Sequence, residues 1–267
     1  MKKLLLRTRD HSHAFLTLVV ILVAWEMAVS ILQIRDFLLP APSKIFAQFL
    51  AQFGYLMQHS LSTLETTMAG FLVAVVLGVA SAVGIVYSRF LDKTLYAFLV
   101  ALNAVPKVAL APLFVIWMGT GSMPKVAIAM LIAIFPILID TVLGLRSTDP
   151  DMLDMARVNH ASKAKVLWKI RFPNALPSIF AGMKVGVSFA LVGTIVGEFV
   201  AGESGLGHVI LVAQGSFDTS TVFVALALLC IMGVVLFQAI EYMEGHFLGW
   251  HASQQDKVSL HESAVAS

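Results

Sequence analysis

Charge is what this sequence has least of. Asp, Glu, Lys and Arg make up 13% of its 267 residues, about half the share of a soluble domain, while 58% are hydrophobic and the mean hydropathy is +0.87. That balance excludes a water-soluble globular protein and leaves an integral membrane protein. Cysteine is nearly absent: Cys230 stands alone in an apolar run, so an intramolecular disulfide is excluded and the residue reads as a small buried hydrophobe. No stretch rich in Gly, Ser or Pro divides the chain and no internal repeat is evident, so residues 1–267 read as a single domain. A G-x-x-x-x-G-K-[ST] phosphate cradle is also missing, which places any ATP hydrolysis on another chain. No metal constellation or cofactor motif stands out, and nothing points to nucleic acid.

Long apolar runs are what the sequence does have. Six of them can cross roughly 30 Å of hydrocarbon, at about 20 residues each, near 14–32, 66–87, 95–118, 126–145, 176–200 and 221–240. The first follows Lys2, Lys3, Arg7 and Arg9 as a secretory signal would, but its length reads as an anchor. With the amino terminus taken as cytoplasmic, the inner segments hold those four residues together with Arg89, Lys93, Arg146, Arg157, Lys163, Lys165, Lys169, Arg171 and Lys257. Only Arg35, Lys44 and Lys125 fall outside. By the positive-inside rule both termini are then cytoplasmic.

Between the first two spans, Pro40 and Pro42 break the chain and Ser43 is a candidate N-cap. Ile45, Phe46, Phe49, Leu50 and Phe53 share one helical face, as in an interfacial helix on the outer leaflet. Span three carries Pro106 and Pro112, each of which removes a backbone donor inside a helix, with Lys107 between them. Such a break fits either a kinked packing helix or a lined cavity, and an ionisable group at that depth favours the cavity. These three residues are the pathway candidates. Asp140 and Lys184 lie toward the inner ends of their spans and read as an ion pair or as snorkelling side chains. Glu198, beside "GESGLG", reads as interfacial, whereas Glu26 has no evident partner.

The segment 146–175 departs from the hydrocarbon-like chain around it. Asp149 can cap a helix that begins at Pro150, with Asp151 near the positive end of its dipole and an end near Val158. A turn follows at Asn159 and His160. Ser162 then caps a second helix carrying Lys163, Lys165, Trp168 and Lys169, which Phe172-Pro173 stops. Lipid headgroups could attract such a loop by charge alone. Two capped helices with a defined stop are more order than that attraction requires, and they form a platform suited to a groove in another protein.

This segment resembles the cytoplasmic loop of the permease subunits of binding-protein-dependent ABC importers, written E-A-A, three residues, G, nine residues, I-x-L-P. Here the register is Asp154-Met155-Ala156, three residues, His160, nine residues, then Ile170-Arg171-Phe172-Pro173. Spacing is kept throughout, with Asp for Glu, Met for the first Ala, His for Gly and Phe for Leu. "PKVALAPLFVIWMGTG", "LLPAPSKIF" and "GESGLGHVI" are similar to the nitrate, sulfonate and taurine branch of that family.

The resemblance implies an all-α type I importer permease of the bacterial inner membrane, with a second permease copy, separate ATPase subunits and an extracytoplasmic substrate-binding protein as partners. It also implies that Asp154, Met155, Ala156, Arg157, His160, Ala161, Ile170 and Pro173 meet the ATPase, and that the substrate is a small anion (sulfonate, taurine, nitrate) or a small heterocycle. At His160 either that residue or Asn159 takes the left-handed conformation, or the turn is built differently. Two rivals stay open. One is a secondary transporter that needs no ATPase, and the other is a rhomboid-like serine protease, since Gly202-Glu203-Ser204-Gly205 matches G-x-S-G.

Overall fold

A computed structural model describes residues 2–96 and 105–248, and every regular element among them is helical. Eight of span three's positions, 97–104, and Lys257 lie outside the described residues. In chain order the α-helices of four or more residues are α1 (Lys2–Ile31), α2 (Pro42–Ala51), α3 (Phe53–Tyr87), α4 (Ala111–Met118), α5 (Ser122–Arg146), α6 (Pro150–Val158), α7 (Lys163–Val166), α8 (Phe172–Ala201), α9 (Leu206–Gly215) and α10 (Thr219–Phe247). Four described helical runs are long and apolar enough to cross a membrane: Phe53–Tyr87, Ser122–Arg146, Lys163–Ala201 and Thr219–Phe247. Val19–Ile31, Lys107–Met118 and Leu206–Gly215 are shorter apolar helices.

The centre of the bundle is α3, α5 and α8. Phe71 and Ala74 of α3 pack with Ala133 and Ile137 of α5, and with Val187 and Ala190 of α8. With no hydrophobic drive between helices in lipid, small residues let the backbones approach closely. Gly193 of α8 illustrates this, because a Cβ there would lie 2.7 Å from the Cα of Ala129 on α5. A second cluster joins Leu56, Leu191, Leu206, Val209 and Val224, seating α9 and the start of α10 on one end of α3 and α8. The third, of Ala82, Ile85, Leu138, Leu145, Leu167 and Ile179, lies at the opposite end. That opposite end, which carries Arg146 and the Lys-rich segment after it, is called the basic end below, and the one with α9 the distal end.

Several expectations are revised. Span three is not one continuous helix: a 3-10 turn at Lys107–Leu110 precedes α4. Pro106 flanks that turn and Pro112 stands in the first turn of α4, where a missing N–H costs nothing. Ser43 is not the N-cap of α2, since the helix begins at Pro42 with Ala41 before it. Instead Glu26 of α1 accepts from the backbone N (3.0 Å) and the Oγ (2.8 Å) of Ser43, taking up an amide that α2 cannot satisfy. The expected apolar face also divides: Ile45 and Phe49 of α2 pack on the distal core, Phe46 and Leu50 of α2 remain exposed, and Phe53, also exposed, is the first residue of α3.

Candidate functional site

At the basic end, Asp149 Oδ1 accepts from the N–H of Asp151 at 2.9 Å and caps α6, which starts at Pro150. The end of α6 closes with two crossed hydrogen bonds. The N–H of Ala161 donates to the carbonyl of Ala156, and that of His160 to Arg157, each at 2.9 Å. This is the Schellman closure, whose penultimate residue must be left-handed. His160 is that residue, with φ of +49°, and Asn159 is not, with φ of −82°. Asn159 supports the turn instead, its Nδ2 donating to the carbonyl of Met155 at 2.8 Å.

Ser162 caps the next helix, its Oγ accepting from Lys165 N. Phe172-Pro173 does not stop that helix. The run from Lys163 to Ala201 is continuous, with a π turn at Leu167–Arg171. Widening the helix by one residue there lets Pro173, which has no N–H to offer, enter the first turn of α8 without leaving a broken α-helical bond. Leu167, at the start of the π turn, and Ile179 of α8 are buried with Leu145 of α5 and Ile85 of α3, so the segment is anchored in the bundle.

The residues expected to meet a partner sort by exposure. Met155 and Val158 are 69% and 79% exposed, with Met152 beside them on α6. Asp154 and Arg157 are exposed and ion-paired at 2.6 Å, and His160 is exposed at the turn. Ala161, Ile170 and Pro173 are half-buried. Ala156 departs from expectation: it faces inward and is buried. The resulting surface is a small apolar patch of two methionines and a valine, with Arg157 on the same helix and the exposed side chains of Lys163, Lys165, Trp168 and Lys169 after the turn. Pro106 and Pro112 are exposed and Lys107 is half-buried, with its Nζ 4.4 Å from the centroid of the Phe135 ring on α5.

Two intramembrane charges have partners that periodicity did not reveal. Lys184 of α8 pairs with Glu244 of α10 at 2.6 Å, the lysine half-buried and the carboxylate buried, rather than with Asp140. Glu198 is not interfacial but fully buried, at 0% exposure. It accepts from Thr63 Oγ1 on α3 at 2.8 Å and from the N–H of Gly207 at the start of α9 at 2.7 Å. The intervening turn fits around that carboxylate, and a Cβ on Gly205, whose φ is +110°, would fall on it.

Ser204 in this turn has Ser62 Oγ at 3.0 Å and Lys125 Nζ at 3.3 Å; no histidine bonds to it among the described residues. The two amides that follow Ser204 are already used. Those of Gly205 and Leu206 donate to His59 Nδ1 and Thr63 Oγ1. Among the described residues the geometry gives Ser204 no histidine base of the kind a rhomboid-like protease uses, and the two amides that follow it are committed elsewhere.

Residues 74–245 match the family described as "binding-protein-dependent transport system inner membrane component". Over 239 residues the chain is 37% identical to a riboflavin transport system permease protein of Chloroflexus aurantiacus, covering 89% of each. It is 29% identical to a formylaminopyrimidine transport permease protein of Halalkalibacterium halodurans, covering 88% of this chain and 94% of that one. Among solved structures, inward-facing conformations of the MetNI methionine ABC transporter share the fold. There the TM-score is 0.64 at 17% identity, over 72% of this chain and 96% of the other.

Proposed function

Because this chain belongs to the family of binding-protein-dependent transport system inner membrane components, we propose that it is the permease subunit of an ATP-driven importer. Its fold is that of type I ABC importer permeases, and it is a multi-pass membrane protein of a non-catalytic transport family. In this reading residues 1–267 form one permease domain in the bacterial inner membrane, with both termini cytoplasmic. Two copies line the pathway, with Pro106, Lys107 and Pro112 near it. An extracytoplasmic binding protein delivers solute to the distal end, and ATPase subunits dock at the basic end.

The observation that carries this reading is the platform at Pro150–Arg171. A capped helix, closed by a Schellman turn and rooted in the core shared by α3, α5 and α8, holds Met152, Met155 and Val158 in solvent. Bare apolar side chains on an ordered helix suit a protein groove better than lipid headgroups. Asp154, Met155, Arg157 and His160 contact the ATPase directly. Ala156, Ala161, Ile170 and Pro173 support the platform from within. ATP-driven closure of the two ATPases then moves the platforms, and the attached spans rock between inward- and outward-open states.

For the substrate, the two relatives named above favour a small organic heterocycle, with a small anion such as nitrate or a sulfonate as the second reading. The test is reconstitution into proteoliposomes with a candidate ATPase and binding protein from the same organism. ATP-dependent uptake of radiolabelled riboflavin, a pyrimidine amine, taurine and nitrate is then compared. An ATPase that co-purifies and drives uptake of one of these supports the proposal. Transport that survives ATP depletion in an ion gradient, with no ATPase retained, favours a secondary transporter instead.

A further inference from the structure

The distal end holds a cavity of about 310 Å³ between α3, the start of α5 and the 202–205 turn. Such a volume is at the small end of the range for ligand pockets, about 300–1,000 Å³. Ser62, Glu65 and Thr66 line it from one face of α3, at the i, i+3, i+4 spacing that puts side chains together on a helix. Lys125, Glu203 and Ser204 close the other side. Glu65 is exposed, as is Gln58 two turns earlier on the same helix; a carboxylate facing hydrocarbon is costly, so this face looks onto water or solute.

Lys125 is the unusual member of the set. It is 3% exposed, and among the described residues no carboxylate lies within ion-pair distance of its Nζ. Its two hydrogen bonds, both 3.3 Å, go to the carbonyl and the Oγ of the same residue, Ser204. An ammonium has three donors, so one remains for an occupant of the cavity. Glu65 and Glu203 are both exposed and offer only acceptors. The lining therefore sets two carboxylates and several hydroxyls against one ammonium, with no aromatic ring to stack on.

We infer that this cavity is a substrate-binding station of the permease itself for a small, neutral or cationic organic molecule rich in N–H or O–H donors. Its donors meet Glu65 and Glu203, and one acceptor group meets Lys125. A simple anion is rejected, because the two carboxylates outweigh the single ammonium. The inference rests on the importer reading and narrows its substrate class, away from nitrate and sulfonates.

The test uses the detergent-solubilised complex of permease and ATPase, without binding protein or nucleotide. Binding of riboflavin, 4-amino-5-hydroxymethyl-2-methylpyrimidine, ethanesulfonate and nitrate is measured by ligand-observed NMR, with uptake followed in parallel. One of the two heterocycles is expected to bind saturably, and the anions ethanesulfonate and nitrate are not. Glu65 and Glu203 are exposed, so the double variant E65Q/E203Q keeps the fold. It is expected to weaken heterocycle binding at least tenfold and to admit ethanesulfonate. The station is overturned if neither heterocycle binds, if nitrate or ethanesulfonate binds the unaltered complex, or if E65Q/E203Q leaves binding unchanged. Uptake by a complex that fails these binding tests leaves the importer standing without the station. Loss of all ATP-dependent uptake counts against the importer reading.

Discussion

His160 sits where a Schellman turn asks for glycine, and a non-glycine residue in the left-handed region costs on the order of 1–2 kcal/mol. Replacing it by glycine should therefore raise the stability of the solubilised protein by about 1 kcal/mol, read as a higher midpoint in thermal unfolding, with uptake retained. Glu198→Ala should do the opposite. It leaves the Gly207 N–H buried without an acceptor, at about 1–3 kcal/mol, while Thr63 Oγ1 keeps only the His59 carbonyl at 3.2 Å. Unfolding at lower temperature, with the loss appearing first as proteolysis near 202–207, is the expected result. The two residues were not equally legible. Spacing alone placed His160 at the turn, because the turn is local. Glu198 was misread, because its partners are 135 residues away on α3 and 9 residues on at the start of α9. Beside three glycines in "GESGLG", the charge looked like a surface feature, whereas those glycines leave room for a buried carboxylate.

Helices α6 and α7 follow from capping residues: Asp149, Pro150 and Ser162 are local signals and set their starts. The stop at Pro173 failed as a signal because the π turn at Leu167–Arg171 removes the conflict that proline creates in an α-helix. Nothing in composition distinguishes such a turn from a helix end. The exposed stripe of α6 gives the test of docking. Met155→Glu or Val158→Asp puts a charge on a side chain already in solvent, so folding should be unchanged while ATPase retention on size exclusion falls at least tenfold. Ala156→Leu acts differently, since that side chain is buried: it should lower stability by about 1–3 kcal/mol through overpacking. A loss of ATPase binding with full stability in that variant would mean that Ala156 faces the partner after all.

Across the whole molecule, the charge asymmetry and the apolar runs were enough for an all-helical membrane protein, and the spacing of several short motifs for its family. The pairings between spans were not legible, because one sequence does not say which faces meet. The Lys184–Glu244 pair, whose carboxylate is buried, is a case in point, and it also serves as a test. Lys184→Met alone strands a buried carboxylate and should destabilise by about 3–5 kcal/mol, whereas K184M/E244M should recover most of that loss. Thermal unfolding of the three proteins decides it. One feature reaches from end to end: the run from Lys163 to Ala201, 39 residues without a break, spans roughly 58 Å at 1.5 Å per residue. Its first turn belongs to the platform and its last holds Glu198 under the distal turn. In the importer proposed above it would serve as a lever. A tilt of about five degrees pivoting at one end sweeps the other through roughly 5 Å over that length, comparable with one helical turn. In that importer, a push at one membrane face would loosen a latch at the opposite face without any relay of side chains between them.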